Sequence, residues 1–223
     1  MKNYIAQKIN NQNYFTVNNI EVYIKDELPL TIDCRSVINK ALTIVPRKLH
    51  KFIKKINIGN FKILTDRDLD ALYKDNHIYI TNLQDSEEDM LDDIIHEIAH
   101  SVEEKYYSLI YSDEKIKKEF LAKRLKMEQI LKNAGFYIDS NYYKNVSYDI
   151  EFDMFLYEKV GYDNLSSLTS SLFLVPYAAT SLREYFASGF ENIFLSEKSY
   201  QILRKISPKL FEKLIKLITI EER

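Results

Sequence analysis

The chain has 223 residues, of which 46% are hydrophobic and 29% charged, enough apolar material for a domain with a proper core. Its 31 Lys and Arg residues against 33 Asp and Glu residues leave a formal net charge of −2, which gives no field for bulk nucleic-acid binding. Only four glycines and four prolines are present, which argues against a sandwich or barrel with many tight turns and favours helix.

The early part of the chain predicts a small sheet. Residues 14–24 read as two short strands around Asn18 and Asn19, a pair that tolerates the positive φ of a tight hairpin. Apolar residues at helical spacing predict two helices within 33–56, the second beginning at Pro46. Two more strands are expected at 56–64 and 77–81, with a polar stretch at 65–76 between them.

The rest of the chain is predicted as helices. Carboxylates around Ser86 favour the positive end of a helix dipole, so a helix should begin there and run past Val102. A charged amphipathic helix follows at 113–133, and its basic residues are interpreted as a solvated face. These residues are Lys115, Lys117, Lys118, Lys123, Arg124 and Lys126. Further helices are expected at 148–160, 165–173, 181–194, 198–206 and 208–219.

No repeat or linker interrupts this pattern. The fold prediction is therefore a single, mostly helical α+β domain over residues 1–223 with a small early sheet. Residues 1–15 contain no apolar signal-peptide core, and the longest apolar run, Leu172–Ala179, is too short to span a membrane. We expect a protein without a membrane span, cytoplasmic unless a leader was removed. Cys34 is the only cysteine, so we expect a buried, inert thiol.

The sequence His96-Glu97-Ile98-Ala99-His100 lies within the helix expected from Ser86. Composition alone predicts about 0.006 His-Glu-x-x-His matches in such a chain, so coincidence is a poor explanation. Residues i and i+4 share a helix face, where two imidazoles can bind one Zn²⁺ at about 2.0–2.1 Å each. Here the histidines face away from the apolar stripe and Glu97 flanks them. The pattern is typical of a zincin, with His96 and His100 as metal ligands and Glu97 as general base.

Catalytic zinc normally has three protein ligands, so one more must come from elsewhere in the chain. Glu184 is the best candidate, because small residues at 187–189 would let its helix approach another helix closely. A capping role for Glu184, in the helix that begins after Ser181, is the alternative. Glu104 lies about 12 Å along the helix axis from His96, which is too far. The reserve candidates are Glu151, Glu158 and Glu191. No third histidine fits as a ligand, and His50 and His77 are both interpreted as surface or core residues.

Three segments together resemble a known family: His77–Thr81, His96–His100 and Glu184–Phe190. They are similar to the zinc peptidase domain of anthrax lethal factor and the related secreted Pro-Pro endopeptidases of clostridia, over about residues 45–195. The resemblance implies a gluzincin fold and one catalytic zinc ion, bound by the two histidines and by the glutamate that opens the last segment. It also implies a tyrosine seven positions before that glutamate, which is Tyr177 here and would assist the reaction.

The chain departs from the family pattern in two places. The family's second glutamate is Ser188 here, so its support of the metal ligands is absent or comes from another residue such as Glu191. The connection from His100 to Glu184 spans 184 − 100 = 84 positions, longer than we expect for the family. The charged helix at 113–133 is interpreted as the addition.

The expected function is that of a zinc-dependent endopeptidase acting on a protein or peptide substrate. The alternative is a non-catalytic structural or interaction protein, viral or toxin-associated, in which zinc only stabilises a zincin scaffold. The intact Glu97 argues against it, because a structural site needs no general base. Two interpretations of strand 77–81 stay open, an edge that pairs with an extended peptide and an ordinary sheet strand.

Overall fold

A computed structural model describes residues 13–220 of the chain. These residues fall into two compact units, an N-terminal unit up to Val102 and a C-terminal unit from Glu103. The described part contains eleven α-helices and a five-stranded mixed sheet. The prediction of an α+β, mostly helical protein with a small early sheet is confirmed. The prediction of one domain over residues 1–223 stays a prediction.

The N-terminal unit is built on a sheet with strand order β1-β2-β3-β5-β4. The strands are β1 (Tyr14–Val17), β2 (Ile20–Ile24), β3 (Lys55–Ile58), β4 (Ala71–Lys74) and β5 (His77–Ile80). The two pairs β1–β2 and β4–β5 are antiparallel, whereas β2–β3 and β3–β5 are parallel. Val22, Ile56 and Ile78 are paired across the centre of the sheet and are fully buried. The predicted hairpin is confirmed, because Asn18 and Asn19 both take positive φ, 48° and 69°.

The strand predicted at 56–64 is too long. The chain leaves the sheet after Ile58, because Gly59 takes a φ of 145°, which side chains rarely adopt. Residues 62–65 then form a helical turn instead of extending the strand.

The polar stretch predicted at 65–76 contains β4. Asp75 and Asn76, with φ of 53° and 64°, form the two-residue turn that joins β4 to β5. Strand β5 lies between β3 and β4, so the interpretation of 77–81 as an edge strand is wrong. The outer strand on that side of the sheet is β4.

The helices of the N-terminal unit are α1 (Cys34–Ile44), α2 (Arg47–His50), α3 (Lys62–Thr65) and the first part of α4 (Glu87–Tyr111). The helix predicted from Ser86 begins at the capping residue that the sequence indicated. The second helix predicted within 33–56 is shorter than expected, because it ends at His50 and β3 begins at Lys55. The Ser86 hydroxyl oxygen accepts the backbone N–H of Asp89 (3.0 Å) at the start of α4. Helix α4 bends at Tyr106, whose φ of −111° is not helical, and the boundary between the two units falls within this helix.

The C-terminal unit is helical in its described part. It contains α5 (Lys115–Asn133), α6 (Ser140–Lys144), α7 (Ile150–Met154), α8 (Tyr162–Thr169), α9 (Leu182–Leu195), α10 (Glu197–Ile206) and α11 (Pro208–Thr219). A π-helix (Phe155–Val160) follows α7, so the helix predicted at 148–160 is real but not uniform. A 3₁₀-helix (Pro176–Ala179) precedes α9. Phe120, Phe152, Phe186 and Phe190 are fully buried in this unit.

The interpretation of the basic residues on α5 as a solvated face is wrong for Lys123 and Arg124. These side chains are only 6% and 1% exposed. The Lys123 ammonium donates hydrogen bonds to the Leu172 carbonyl oxygen (2.5 Å) and the Ser207 hydroxyl oxygen (2.6 Å). Arg124 likewise donates to backbone carbonyls. Both cations are buried because the folded chain brings carbonyl acceptors to them, which helical periodicity does not reveal.

None of the helices in residues 13–220 is both long and apolar enough to cross a membrane. The buried position of Cys34, the free thiol at the start of α1, was expected.

Candidate functional site

Helix α4 carries His96 and His100 on the face away from its apolar stripe. The residues of that stripe, Leu91, Ile94, Ile95, Ile98 and Val102, are all buried. The two imidazole rings lie 4.9 Å apart between centroids, at an interplanar angle of 82°. His100 is buried and His96 is half-buried. The i, i+4 spacing therefore brings two imidazoles side by side, with part of one ring accessible to solvent.

Glu97, which lies between these histidines in the sequence, is buried, and its carboxylate reaches the sheet. Its Oε2 accepts a hydrogen bond from the backbone N–H of Tyr73 on β4. Alternate residues of an antiparallel strand turn their N–H groups toward the partner strand. The N–H of Thr81 on the β5 side donates to the carbonyl oxygen of Asp70 (2.7 Å), so the backbone groups of Asp70 face β5. The groups of Leu72, two positions on, also face β5, whereas the N–H of Tyr73 points away from it. The outer edge of the sheet thus orients one oxygen of Glu97.

Asp93, one turn before Glu97 on α4, is a residue that the motif did not indicate. Gln84 donates a hydrogen bond from its amide nitrogen to the Asp93 carboxylate (3.1 Å). Burial, together with the nearby Asp70 and Glu97, raises the pKa of Asp93 to about 7, against the opposing effects of the Gln84 hydrogen bond and His96. The only sequence signal was a carboxylate at i−3 from a histidine ligand candidate, which is too common to single out.

Glu184 lies in the first turn of α9 and is 9% exposed. The Ser181 hydroxyl oxygen accepts the backbone N–H of Glu184 (3.1 Å), so Ser181 caps this helix as expected. The cap uses the backbone of Glu184. A ligand role for the carboxylate is therefore compatible with the capping interaction at the same position.

The small residues after Glu184 do allow close helix packing, but toward α10 and α11. A Cβ added at Gly189 would lie 2.5 Å from Leu210 Cδ2 on α11 and 3.6 Å from Leu203 Cδ1 on α10. Ser188, where the resembled family has glutamate, is also buried. The lack of a side chain at Gly189 thus allows close packing within the C-terminal unit.

Tyr177 lies in the 3₁₀-helix that leads into α9 and is half-buried. Its backbone carbonyl accepts hydrogen bonds from the Thr180 N–H (3.0 Å) and the Thr180 hydroxyl (2.8 Å). Pro176 before it fixes the start of this short helix. The eight residues from Tyr177 to Glu184 therefore form a segment whose backbone is held by its own turns and caps.

The other histidines and the reserve glutamates differ in burial and in their contacts. His50 is buried, and burial lowers its pKa, as expected for a core histidine. His77 is half-buried on β5. Glu151 accepts the hydroxyl of Tyr142, whereas Glu158 is exposed. Glu191 is half-buried on α9.

Comparisons with other proteins give no assignment. The sequence matches no protein-family model and no curated protein, and the fold matches no solved structure. The resemblance to the lethal factor and Pro-Pro endopeptidase family stays a prediction.

Proposed function

We propose that the protein is a zinc metalloendopeptidase in which His96, His100 and Glu184 bind one zinc ion and Glu97 is the general base. One observation carries the proposal. Within the N-terminal unit, α4 places the imidazoles of His96 and His100 with 4.9 Å between their ring centroids, and the side chain of Glu97, next to His96, is buried. Glu184 is the third ligand that the sequence pattern predicts.

A second observation supports the choice of Glu184. Glu103 lies three positions after His100 on the same helix, α4. Its carboxylate is 3.5 Å from Nε of Arg183, the residue before Glu184, and accepts the Tyr111 hydroxyl (2.6 Å). Within the C-terminal unit, the last part of α4 is thus anchored to the turn that carries Glu184.

The chemistry of this set of ligands fits zinc. Two imidazoles and one carboxylate are the protein ligands of one class of catalytic zinc site, which leaves a fourth position for water. Such an ion lowers the pKa of its water and polarises the carbonyl of a substrate. A purely structural zinc site would normally have four protein ligands, so three ligands with an adjacent buried glutamate favour catalysis.

Residues of the chain supply the other steps of peptide hydrolysis. Glu97 takes a proton from the attacking water and later delivers it to the leaving amine. The hydrogen bond from Tyr73 N–H holds Oε2 of Glu97, which leaves Oε1 as the oxygen that exchanges this proton. The Tyr177 hydroxyl donates a hydrogen bond to the carbonyl oxygen of the substrate as that oxygen gains negative charge.

The test is cleavage of a mixed peptide library by the zinc-loaded protein, with cleavage products identified by mass spectrometry. We expect the wild-type protein to cleave and the chelated protein not to cleave. Glu97→Gln keeps the shape of the side chain but removes the base, so it should still bind zinc and lose at least about 100-fold in rate. The exposed Glu158→Gln is the matched control and should cleave like wild type.

Two results would refute the proposal. The first is stoichiometric zinc binding by the wild-type protein without any cleavage across the library, which would favour a structural role for the metal. The second is full activity in the Glu97→Gln protein, which would remove the assigned base.

A further inference from the structure

Arg124 is the most deeply buried charged side chain in the described part of the C-terminal unit, at 1% exposure. Its guanidinium stands on the ring of Phe152, 4.1 Å from the ring centroid, and lies 5.2 Å from that of Phe120. Burial lowers its pKa to about 10, so the group remains charged at neutral pH. A buried cation is retained at a large desolvation cost, and its hydrogen-bond acceptors show what it holds in place.

The acceptors of Arg124 are backbone carbonyls. One terminal nitrogen donates to the carbonyl oxygens of Ala179 (2.6 Å) and Thr180 (3.2 Å). The other donates to the carbonyl oxygen of Tyr142 on α6. The planar guanidinium fork therefore joins α6 to the two residues at the end of the 3₁₀-helix.

These two residues occupy a critical place in the chain. Ala179 and Thr180 follow Tyr177 after one intervening residue, Ala178, and come directly before Ser181, the cap of α9. The next residue is tied to the same neighbourhood, because Leu182 N–H donates to the Val146 carbonyl (2.9 Å). Besides its own turns and caps, the backbone between the two site residues of this unit is thus held from outside by one side chain and one backbone hydrogen bond.

We infer that Arg124 is a positioning residue, which holds the backbone at Ala179 and Thr180 so that Tyr177 and Glu184 are oriented for zinc binding and catalysis. This inference rests on the proposed function. It also assigns a role to α5, the charged helix that we interpreted as an addition to the resembled family. Arg124 acts through the backbone and is not itself a ligand or a catalytic residue.

The neighbouring Lys123 offers a matched control. It is a buried cation on the same helix, and its hydrogen bonds go to Leu172 and Ser207 instead of residues 179–180. Lys123→Met and Arg124→Met each remove a buried charge and the hydrogen bonds that it donates. A general loss of stability should therefore affect both variants, whereas a positioning effect should affect only Arg124→Met.

The first readout is the zinc dissociation constant, measured by competition with a chromophoric chelator at a temperature where each variant is folded. Residues that orient metal ligands typically contribute 10- to 100-fold to affinity, so Arg124→Met should bind zinc about 10- to 100-fold more weakly. Lys123→Met should stay within about threefold of wild type. Wild-type affinity in Arg124→Met would overturn the inference.

The second readout needs no metal. Hydrogen exchange of the metal-free protein, followed by peptide mapping, should show faster exchange over residues 177–182 in Arg124→Met than in Lys123→Met. This range leaves out Tyr185, whose ring centroid lies 4.9 Å from the Lys123 ammonium. Equal exchange in the two variants would overturn the inference. If wild-type protein binds no zinc, the proposed function fails, and this exchange difference alone decides whether Arg124 positions the segment.

Arg124→Lys covers the case in which Arg124→Met does not fold. Lysine keeps the charge but lacks the planar fork, so it cannot hold all three carbonyls. We expect an intermediate loss of zinc affinity, about 3- to 10-fold, with the cobalt-substituted protein showing an absorption spectrum shifted toward that of Glu184→Gln. A wild-type spectrum and affinity in Arg124→Lys would contradict the positioning role.

Discussion

Replacement of Gly189 by alanine tests the packing of α9 against α10 and α11. Gly189 is buried in the middle of α9, where its helical φ would suit any residue. The restriction comes from its neighbour. The new methyl group would lie 2.5 Å from Leu210 Cδ2 and 3.2 Å from Leu210 Cγ, and Leu210 is itself fully buried. Leu210 must therefore rotate or α11 must shift.

The size of the effect follows from two opposing contributions. Alanine is favoured over glycine within a helix by about 1 kcal/mol. Overpacking of a well-filled core costs about 1–3 kcal/mol. The contact with Cγ, which is not the flexible end of the side chain, places Gly189→Ala in the upper part of that range. We expect a net loss of about 1–2 kcal/mol in the free energy of unfolding, or about 2–8 °C in Tm.

The assay is urea unfolding followed by circular dichroism, with a double-mutant cycle. Leu210→Ala alone should cost about 2–5 kcal/mol through the cavity it leaves. The double variant should be less destabilised than the sum of the two single variants, because the Gly189→Ala methyl group occupies part of that cavity. Additive losses, or a Gly189→Ala protein more stable than wild type, would refute the reasoning.

Two further predictions concern ionisable groups of the N-terminal unit. Since the pKa of Asp93 is raised from the ordinary 3.8 to about 7, its stabilising contribution is fully present below pH 3.8 and is lost as pH rises through 7. Asp93→Asn should therefore raise the free energy of unfolding of the metal-free protein by about 2 kcal/mol at pH 8, allowing for partial exposure, and by well under about 1 kcal/mol at pH 4.5; equal effects at both pH values would contradict this. Burial, with Asp33 nearby, raises the pKa of the Cys34 thiol. An aromatic disulfide reagent should thus react at least about 100-fold more slowly with the native protein than in urea, and rapid native labelling would contradict the buried position.

The sequence predicts most of what depends on local chemistry. The positive φ of Asn18 and Asn19, the Ser86 and Ser181 caps, and the buried stripe of α4 all follow from residue type and periodicity. The side-by-side histidines follow from the i, i+4 spacing alone. For these features, the interacting groups lie within one turn of each other along the chain.

Features that depend on distant partners were missed. Strand β4 lies in the stretch that the sequence describes only as polar, because its four residues are held mainly by pairing with β5. Lys123 and Arg124 read as surface residues because their carbonyl acceptors lie 49 or more positions away, apart from Tyr142. The bond from Tyr73 to Glu97 likewise needs the outer edge of the folded sheet. Helical periodicity gives the face of a residue but not the partner it meets there.

The most direct test of the account is the zinc dissociation constant of the wild-type protein compared with that of Glu184→Gln. The exposed Glu197→Gln, on the next helix, serves as the control. We predict one zinc ion per chain in the wild-type protein, a loss of at least about 100-fold in Glu184→Gln, and an unchanged constant in Glu197→Gln. Equal zinc affinity in the wild-type and Glu184→Gln proteins would contradict the three-ligand site.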